Sequence, residues 1–328
     1  MNGYEAIAEK LRGTGVFKNV YTVESLSCSR YKTVYKSKTA RRVYKLLPDL
    51  ELKNYIKIKY VYDELFMANV DGFSVLLFAA LYKKNKVKLN IFEDGVATYS
   101  KLFEAYYHSQ HPPINKIKYF LFCKIFKIKY IYPNANCFYV FNGDAMLWDP
   151  GCKIENLQPI SRENDFVSIV NKIFDYDNMT DLYDKKYIYF EESFYADSGY
   201  MEDVELVEKI AKLVGKENVM VKIHPRNPEN RFERLGYKTN KNTSIPWEVI
   251  LMNNDFSDTV LITIASSTIL NSMALFSRKI ESYSLIDCLQ ETPKILKGDF
   301  ANCILNFYRE YPESIHICAE INDIVKEI

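Results

Sequence analysis

Val219-Met220-Val221-Lys222-Ile223-His224-Pro225-Arg226-Asn227-Pro228 is the stretch where a short apolar run stops abruptly at a histidine, two prolines and a cation. Residues 220–223 read as a buried strand of a parallel sheet. Pro225 ends that strand, because proline has no amide to donate and pushes the residue before it into an extended conformation. His224 is therefore expected at the C-terminal end of a strand, the edge at which open α/β sheets bind ligands. A surface histidine that merely stops a strand is the competing reading, and two further stretches bear on the choice.

The first is Ile91-Phe92-Glu93-Asp94-Gly95-Val96-Ala97-Thr98. Adjacent carboxylates directly after an apolar strand, with a glycine that permits a sharp turn, place Glu93 or Asp94 at a cleft edge. Desolvation and like charge there raise a carboxylate toward useful base strength. Turn chemistry alone also explains a solvated Glu-Asp-Gly. The second is Thr259-Val260-Leu261-Ile262-Thr263-Ile264-Ala265-Ser266-Ser267-Thr268, a buried strand running into a helix over residues 268–276. Ser266 and Ser267 fall at the helix cap, where free amides, the helix dipole and two hydroxyls form a phosphate site without a lysine, or where a serine simply caps. Between these stretches, Pro246 fits a first helical turn and sets Glu248 near a helix N-terminus, placed to accept both hydroxyls of a ribose. Trp247 reads as core.

The remaining chain alternates strands and helices, which calls for parallel sheets covered by helices. Helices are expected at residues 4–11, 40–47, 72–82 and 202–214, the last capped by Gly215. Strands are expected near 20–23, 56–62, 87–92, 138–141 and 187–190. Residues 147–184, with their prolines and acidic tract, read as a linker. Two domains follow, residues 1–160 and 161–328, each with a Rossmann-like parallel sheet, and two such domains facing across a cleft make the GT-B arrangement. The chain opens in a helix where an α/β domain ordinarily opens in a strand, which leaves open a missing first β-unit.

Composition narrows the function. The 328 residues are 48% hydrophobic and 26% charged, and 43 basic against 42 acidic residues leave no global field for nucleic acid. Seven cysteines without a Cys-x-x-Cys pair, and four histidines without ligand-like spacing, argue against a disulfide framework or a zinc site. Neither a signal peptide nor an apolar run of membrane-spanning length is read from the sequence, so a cytoplasmic location is expected. Residues 114–132 interleave lysines with aromatics and isoleucines. They read either as a basic helix on an anionic membrane surface or as a half-buried helix with snorkelling lysines.

Taken in order, Glu93-Asp94-Gly95, His224-Pro225-Arg226, Pro246-Trp247-Glu248 and Ser266-Ser267 resemble the bacterial sialyltransferases of glycosyltransferase family 52, which include lipooligosaccharide sialyltransferases. Related polysialyltransferase families share the acidic-Gly and His-Pro motifs. The resemblance implies inverting transfer of sialic acid from CMP-sialic acid to a terminal sugar hydroxyl, expected to be galactose, of a cell-surface lipooligosaccharide or capsular oligosaccharide. It makes Asp94 the general base, His224 the group that assists phosphate departure, and Ser266 and Ser267 the phosphate holders. Glu93, Gly95, Pro225, Arg226 and Glu248 complete the expected substrate-binding set. Such enzymes need neither a metal nor a cofactor beyond the CMP-sialic acid donor. A protonated His224 would stabilise the charge that builds on the departing phosphate.

The expected partners are a nucleotide-sugar donor and an oligosaccharide or glycolipid acceptor, with no nucleic acid; peripheral membrane contact through residues 114–132 and a homodimer stay open. Two other readings remain. One is a different GT-B surface-polymer transferase, polysialyltransferase-like or glycerophosphotransferase-like. The other is a catalytically inactive membrane-surface scaffold.

Overall fold

The computed structural model describes residues 3–22, 61–68, 70–109, 124–125, 131, 133–161, 165–296 and 299–326. The chain forms two units, one of residues 21–157 and one of residues 158–328 together with residues 1–20, which carry helix α1 (Gly3–Thr14). The division after Leu157 falls three residues before the expected boundary, and α1 goes with the C-terminal unit, because it packs on helix α4 (Asp165–Phe174).

The unit of residues 21–157 holds a four-stranded parallel sheet in the order β1-β2-β3-β4, with β1 Glu64–Met67, β2 Lys88–Phe92, β3 Ala135–Val140 and β4 Lys153–Asn156. Leu89 and Ile91 of β2 join Phe138, Trp148 and Met67 in its core, and each buried aliphatic side chain contributes about 1.5–3 kcal/mol. Helix α2 (Gly72–Asn85) starts where the Asp71 carboxylate accepts the Ser74 amide at 2.8 Å. It stops where Lys86 turns left-handed, with φ of 59°. Phe78 and Leu81 lie buried in the same core. Helix α3 (Lys101–Ser109) sends Tyr107 edge-on to Phe138.

The second unit holds six strands, all parallel, in the order β10-β9-β8-β5-β6-β7. These are β5 Tyr187–Phe190, β6 Val219–Lys222, β7 Lys238–Thr239, β8 Val260–Thr263, β9 Ser282–Ser284 and β10 Ile315–Ile317. Both faces of β5, β6 and β8 are buried, as a parallel sheet requires, and their sequences are accordingly apolar throughout apart from the last residues of β6 and β8, Lys222 and Thr263. The helices are α5 (Phe194–Ser198), α6 (Glu202–Val214), α7 (Arg231–Arg234), α8 (Trp247–Asn253), α9 (Thr268–Phe276) and α10 (Asp299–Arg309). Gly215 ends α6 as expected, at φ of 85°, with its amide on the Ala211 carbonyl. The α/β class with two Rossmann-like parallel-sheet domains is thus the architecture of the chain.

Three expectations change. Residues 147–184 are not a linker: they contain β4, a short polar edge strand, and α4, whose Val167, Val170 and Ile173 are buried on one face against α1 and α8. Of the strand expected at 56–62, residues 61–62 are irregular and residues 56–60 lie outside the described residues; β1 follows, with Leu65 beside Leu89 and Met67 beside Ile91. Residues 20–22 are irregular rather than a strand. The helix expected at 40–47 lies outside the described residues, as does the 114–132 segment apart from residues 124, 125 and 131.

Candidate functional site

Chain order reverses at β5. From β5 the chain winds outward through β6 and β7 on one flank, then returns to β8 on the other flank and winds out through β9 and β10. Such a switch point opens a crevice at the C-terminal strand ends, because the two following loops diverge there. His224 follows β6, Ser266 and Ser267 follow β8, and the adjacent pair Glu191-Glu192 follows β5 between them.

Each of these carboxylates bonds to the turn that follows one flanking strand. Glu191 Oε2 accepts the His224 amide at 3.0 Å, while its Oε1 accepts Arg231 Nη2 at 2.7 Å. Glu192 Oε1 accepts the amides of Ile264 and Ala265, both at 2.9 Å, and the Thr263 hydroxyl. Glu192 Oε2 is buried without a hydrogen-bond partner among the described residues. Burial pushes the Glu192 carboxyl up to about 7, against the pull of these donors. Glu191 is raised as well, again by burial, with Arg231 opposing. Arg231 also grips Asp203 through both guanidinium nitrogens, at 3.1 and 2.6 Å, and lies over the Tyr195 ring at 4.2 Å.

His224 is half-buried, and its Nδ1 accepts the Arg226 amide at 3.2 Å. The ring proton therefore belongs on Nε2, which is left as a donor. Burial, then the charges of Arg226 and Lys222, push its pKa down to about 4, so the free protein carries a neutral imidazole rather than the protonated one expected from the sequence. Asn240 Oδ1 holds the Ile223 amide at 2.6 Å, and Asn227 closes the turn with its amide on the His224 carbonyl. Pro225 and Arg226 are exposed; the Arg226 guanidinium reaches Ser193 Oγ at 2.5 Å and Asp197 at 3.3 Å.

On the other flank Ser267 is the cap residue of α9 and makes no capping bond with its side chain, whereas Ser266 Oγ accepts the Thr268 amide at 3.3 Å and the Thr268 hydroxyl. The Tyr308 hydroxyl fixes the Ser266 carbonyl at 2.9 Å. Glu248 lies in the first turn of α8 and accepts Asn271 Nδ2 of α9 on Oε1. The Asn271 amide returns to the Ser267 carbonyl at 3.2 Å, so the Pro-x-Glu and Ser-Ser stretches are joined. Trp247 is core, as expected, packed edge-on to Phe190 at 4.7 Å.

The sequence reading passed over Glu191, Glu192, Arg231 and Lys222. Lys222 is only 8% exposed and makes no hydrogen bond through its ammonium among the described residues. Burial lowers its pKa, opposed by Glu248 and Asp181. The available signal was an acidic pair and a lysine at the ends of wholly apolar strands, where a charge costs several kcal/mol unless something receives it.

Glu93, Asp94 and Gly95 belong to the other unit. Glu93 Oε2 accepts the Phe141 amide at 2.8 Å and the Tyr99 hydroxyl, and burial raises its pKa. Its Oε1 has no hydrogen-bond partner among the described residues. Asp94 is exposed and is held through its amide, which donates to Thr98 Oγ1 at 2.9 Å. Gly95 turns at φ of 73° and ψ of −169°, a conformation that a side chain would strain. No group of three or more His, Cys, Asp or Glu residues is placed to hold a metal among the described residues. Among them, too, no helix is long and apolar enough to cross a membrane.

A sequence model of the alpha-2,8-polysialyltransferase (POLYST) family matches residues 2–283. No curated protein matches. Among solved structures, spinosyn forosaminyltransferase SpnP is similar at 13% identity and a TM-score of 0.44, over 98% of this chain and 87% of that one. A UDP-GlcNAc 2-epimerase from Methanocaldococcus jannaschii is similar at 12% identity and a TM-score of 0.43, over 99% and 88%.

Proposed function

The chain belongs to the alpha-2,8-polysialyltransferase family, and on that premise we propose that it transfers sialic acid from CMP-sialic acid, with inversion and without a metal, to the end of a cell-surface oligosaccharide or glycolipid. The match makes it a sialyltransferase but does not support the lipooligosaccharide family that its motifs resemble. The family description favours a sialic-acid terminus as acceptor over the galactose expected from the sequence.

The observation that carries this reading is the convergence at one switch point: the His224 turn and the Ser266-Ser267 turn are tied to adjacent residues of one strand end. Sialic acid leaves CMP through an oxocarbenium-like transition state, and charge gathers on the departing phosphate. Ser266, Ser267 and the amides opening α9 receive that charge, and the neutral His224 donates to it from Nε2. Glu248, whose second carboxylate oxygen has no hydrogen bond among the described residues, takes the ribose hydroxyls, and Pro225 and Arg226 shape the turn beside the phosphate.

The base of the reaction is one of the two carboxylates of the Glu93-Asp94-Gly95 turn. Between the two carboxylates we assign it to Glu93, not to Asp94 as the resemblance implied, since Glu93 is the one that is fixed, desolvated and left with an open oxygen. Gly95 permits the turn that presents the pair. A cytoplasmic location, contact with an anionic membrane through residues 114–132 and pairing into a homodimer belong to the same proposal.

Donor selectivity tests it. CMP is expected to raise the thermal midpoint by several degrees, while UDP-sugars and CDP-glycerol leave it unchanged. Protection by CDP-glycerol or a UDP-sugar in place of CMP moves the chain to the glycerophosphate or another sugar chemistry; protection by none of them returns it to a scaffold.

A further inference from the structure

We propose that Glu191 and Glu192 are a two-pronged positioning device, Glu191 holding the His224 turn and Glu192 holding the Ser266-Ser267 turn, so that one strand end sets the spacing of both halves of the donor phosphate site. The proposal rests on the donor-site reading above and adds to it the residues that act on it from behind.

The geometry is specific to this pair. The pair follows β5, the strand that lies between β6 and β8, so each carboxylate is within reach of the turn that follows one of them. Glu191 ties the backbone of His224 on the β6 side, and Glu192 ties the amides of Ile264 and Ala265 on the β8 side. The first prong is braced in turn: Arg231 bridges Glu191 and Asp203, with only 6% of its side chain exposed. The backbone carbonyl of Glu192 adds a third tie, accepting Asn227 Nδ2 of the His224 turn at 3.0 Å.

Burying two carboxylates at one strand end is costly unless their bonds fix something. Around Glu192 the facing titratable groups are Tyr189 of β5, Tyr200 and Asp203 at the start of α6, and Tyr308 of α10. None of these is a cation that would offset the charge. Glu192 Oε2 makes no hydrogen bond among the described residues, so the bonds this side chain makes are those on Oε1.

The two prongs respond differently to substitution. A glutamine at 191 must set its NH2 against either Arg231 or the His224 amide, since both carboxylate oxygens accept. A glutamine at 192 keeps an oxygen at the Oε1 position, where the Ile264 and Ala265 amides and the Thr263 hydroxyl donate. Glu191→Gln is therefore expected to lower kcat about tenfold or more, the loss of one charge-assisted hydrogen bond, with CMP affinity within about threefold. In NMR titration its His224 should move up from about 4 toward 6.5 as the turn opens and the ring is hydrated.

Glu192→Gln is expected to keep CMP affinity and the exchange protection of the Ile264 and Ala265 amides, and Glu192→Leu to lose that protection and about tenfold in CMP affinity. Glu192→Gln should also show the charge. The carboxyl sits at about 7 in the fold against its ordinary 4.5. Stability from the neutral form is thus whole below 4.5 and lost as pH rises through 7. The variant and the natural protein should melt alike at pH 4 and separate at pH 8, the natural protein lower.

A folded Glu191→Gln with an unmoved His224 titration and unchanged kcat overturns the first prong. A Glu192→Leu that binds CMP like the natural protein overturns the second; should that variant not fold, unprotected exchange of the Ile264 and Ala265 amides in the natural protein does so. The histidine titration, amide exchange and melting need no ligand. Failure of the natural protein to bind CMP sinks the sialyltransferase reading and leaves these results standing.

Discussion

Glu93→Gln is expected to lower kcat by about 10²-fold or more while leaving CMP affinity within about threefold, and Asp94→Asn to keep most of the activity. A base must be held where the acceptor proton will be and must bind that proton well enough to take it. Glu93 meets both conditions: Tyr99 and the Phe141 amide hold Oε2, and burial raises its pKa. The same rise fixes the pH dependence. The base works only when ionised, so the acid limb of kcat/KM should lie above the ordinary 4.5 of a glutamate and vanish in Glu93→Gln. Loss of activity in Asp94→Asn with retention in Glu93→Gln would return the role to Asp94 and leave Glu93 as the anchor of the turn.

His224→Ala is expected to cost about 10²–10³-fold in kcat with a far smaller effect on CMP affinity, because the donor bond it removes strengthens only as charge reaches the phosphate. The neutral ring sharpens this expectation. An imidazole held at about 4 brings no full charge to the ground state, so it adds little to binding before the bond breaks. A His224→Ala variant that loses CMP affinity and kcat in equal measure would instead make His224 a plain binding residue. The histidine titration of the free protein gives an independent check, with His224 neutral at pH 5.5.

How far these residues could be read beforehand depends on what kind of signal carried them. His224, Ser266-Ser267 and Glu248 were legible because each marks a boundary: proline forbids the strand, hydroxyls suit a helix cap, and an acid suits the positive end of a helix. The apolar strands β5, β6 and β8 announced the parallel sheet in the same way. The Glu-Asp-Gly stretch was legible as a turn carrying two carboxylates, but not in which of them is buried. Which of two adjacent carboxylates is desolvated depends on Tyr99 and Phe141, the latter 48 residues further along the chain.

Glu191, Glu192 and Arg231 escaped for a similar reason. Their partners are 28 to 73 residues away, at strand ends and helix starts that only the fold brings together. The mistaken linker failed for a local reason. In residues 147–184 the acidic tract and prolines outweighed the spacing of Val167, Val170 and Ile173, which by itself is a helix face. β4 carried almost no signal, since an edge strand reading Lys-Ile-Glu-Asn has little apolar alternation to show.

The central claim is that this chain moves sialic acid from a CMP donor. Mass spectrometry of acceptors incubated with the protein, CMP-sialic acid and a metal chelator tests it most directly, using oligosaccharides ending in sialic acid and in galactose side by side. The account predicts that the sialic-acid-terminated acceptor gains one or more sialic acid residues, with CMP released in equal number and the chelator without effect. Unchanged acceptors of both kinds, with CMP-sialic acid intact and CMP not bound, would contradict it.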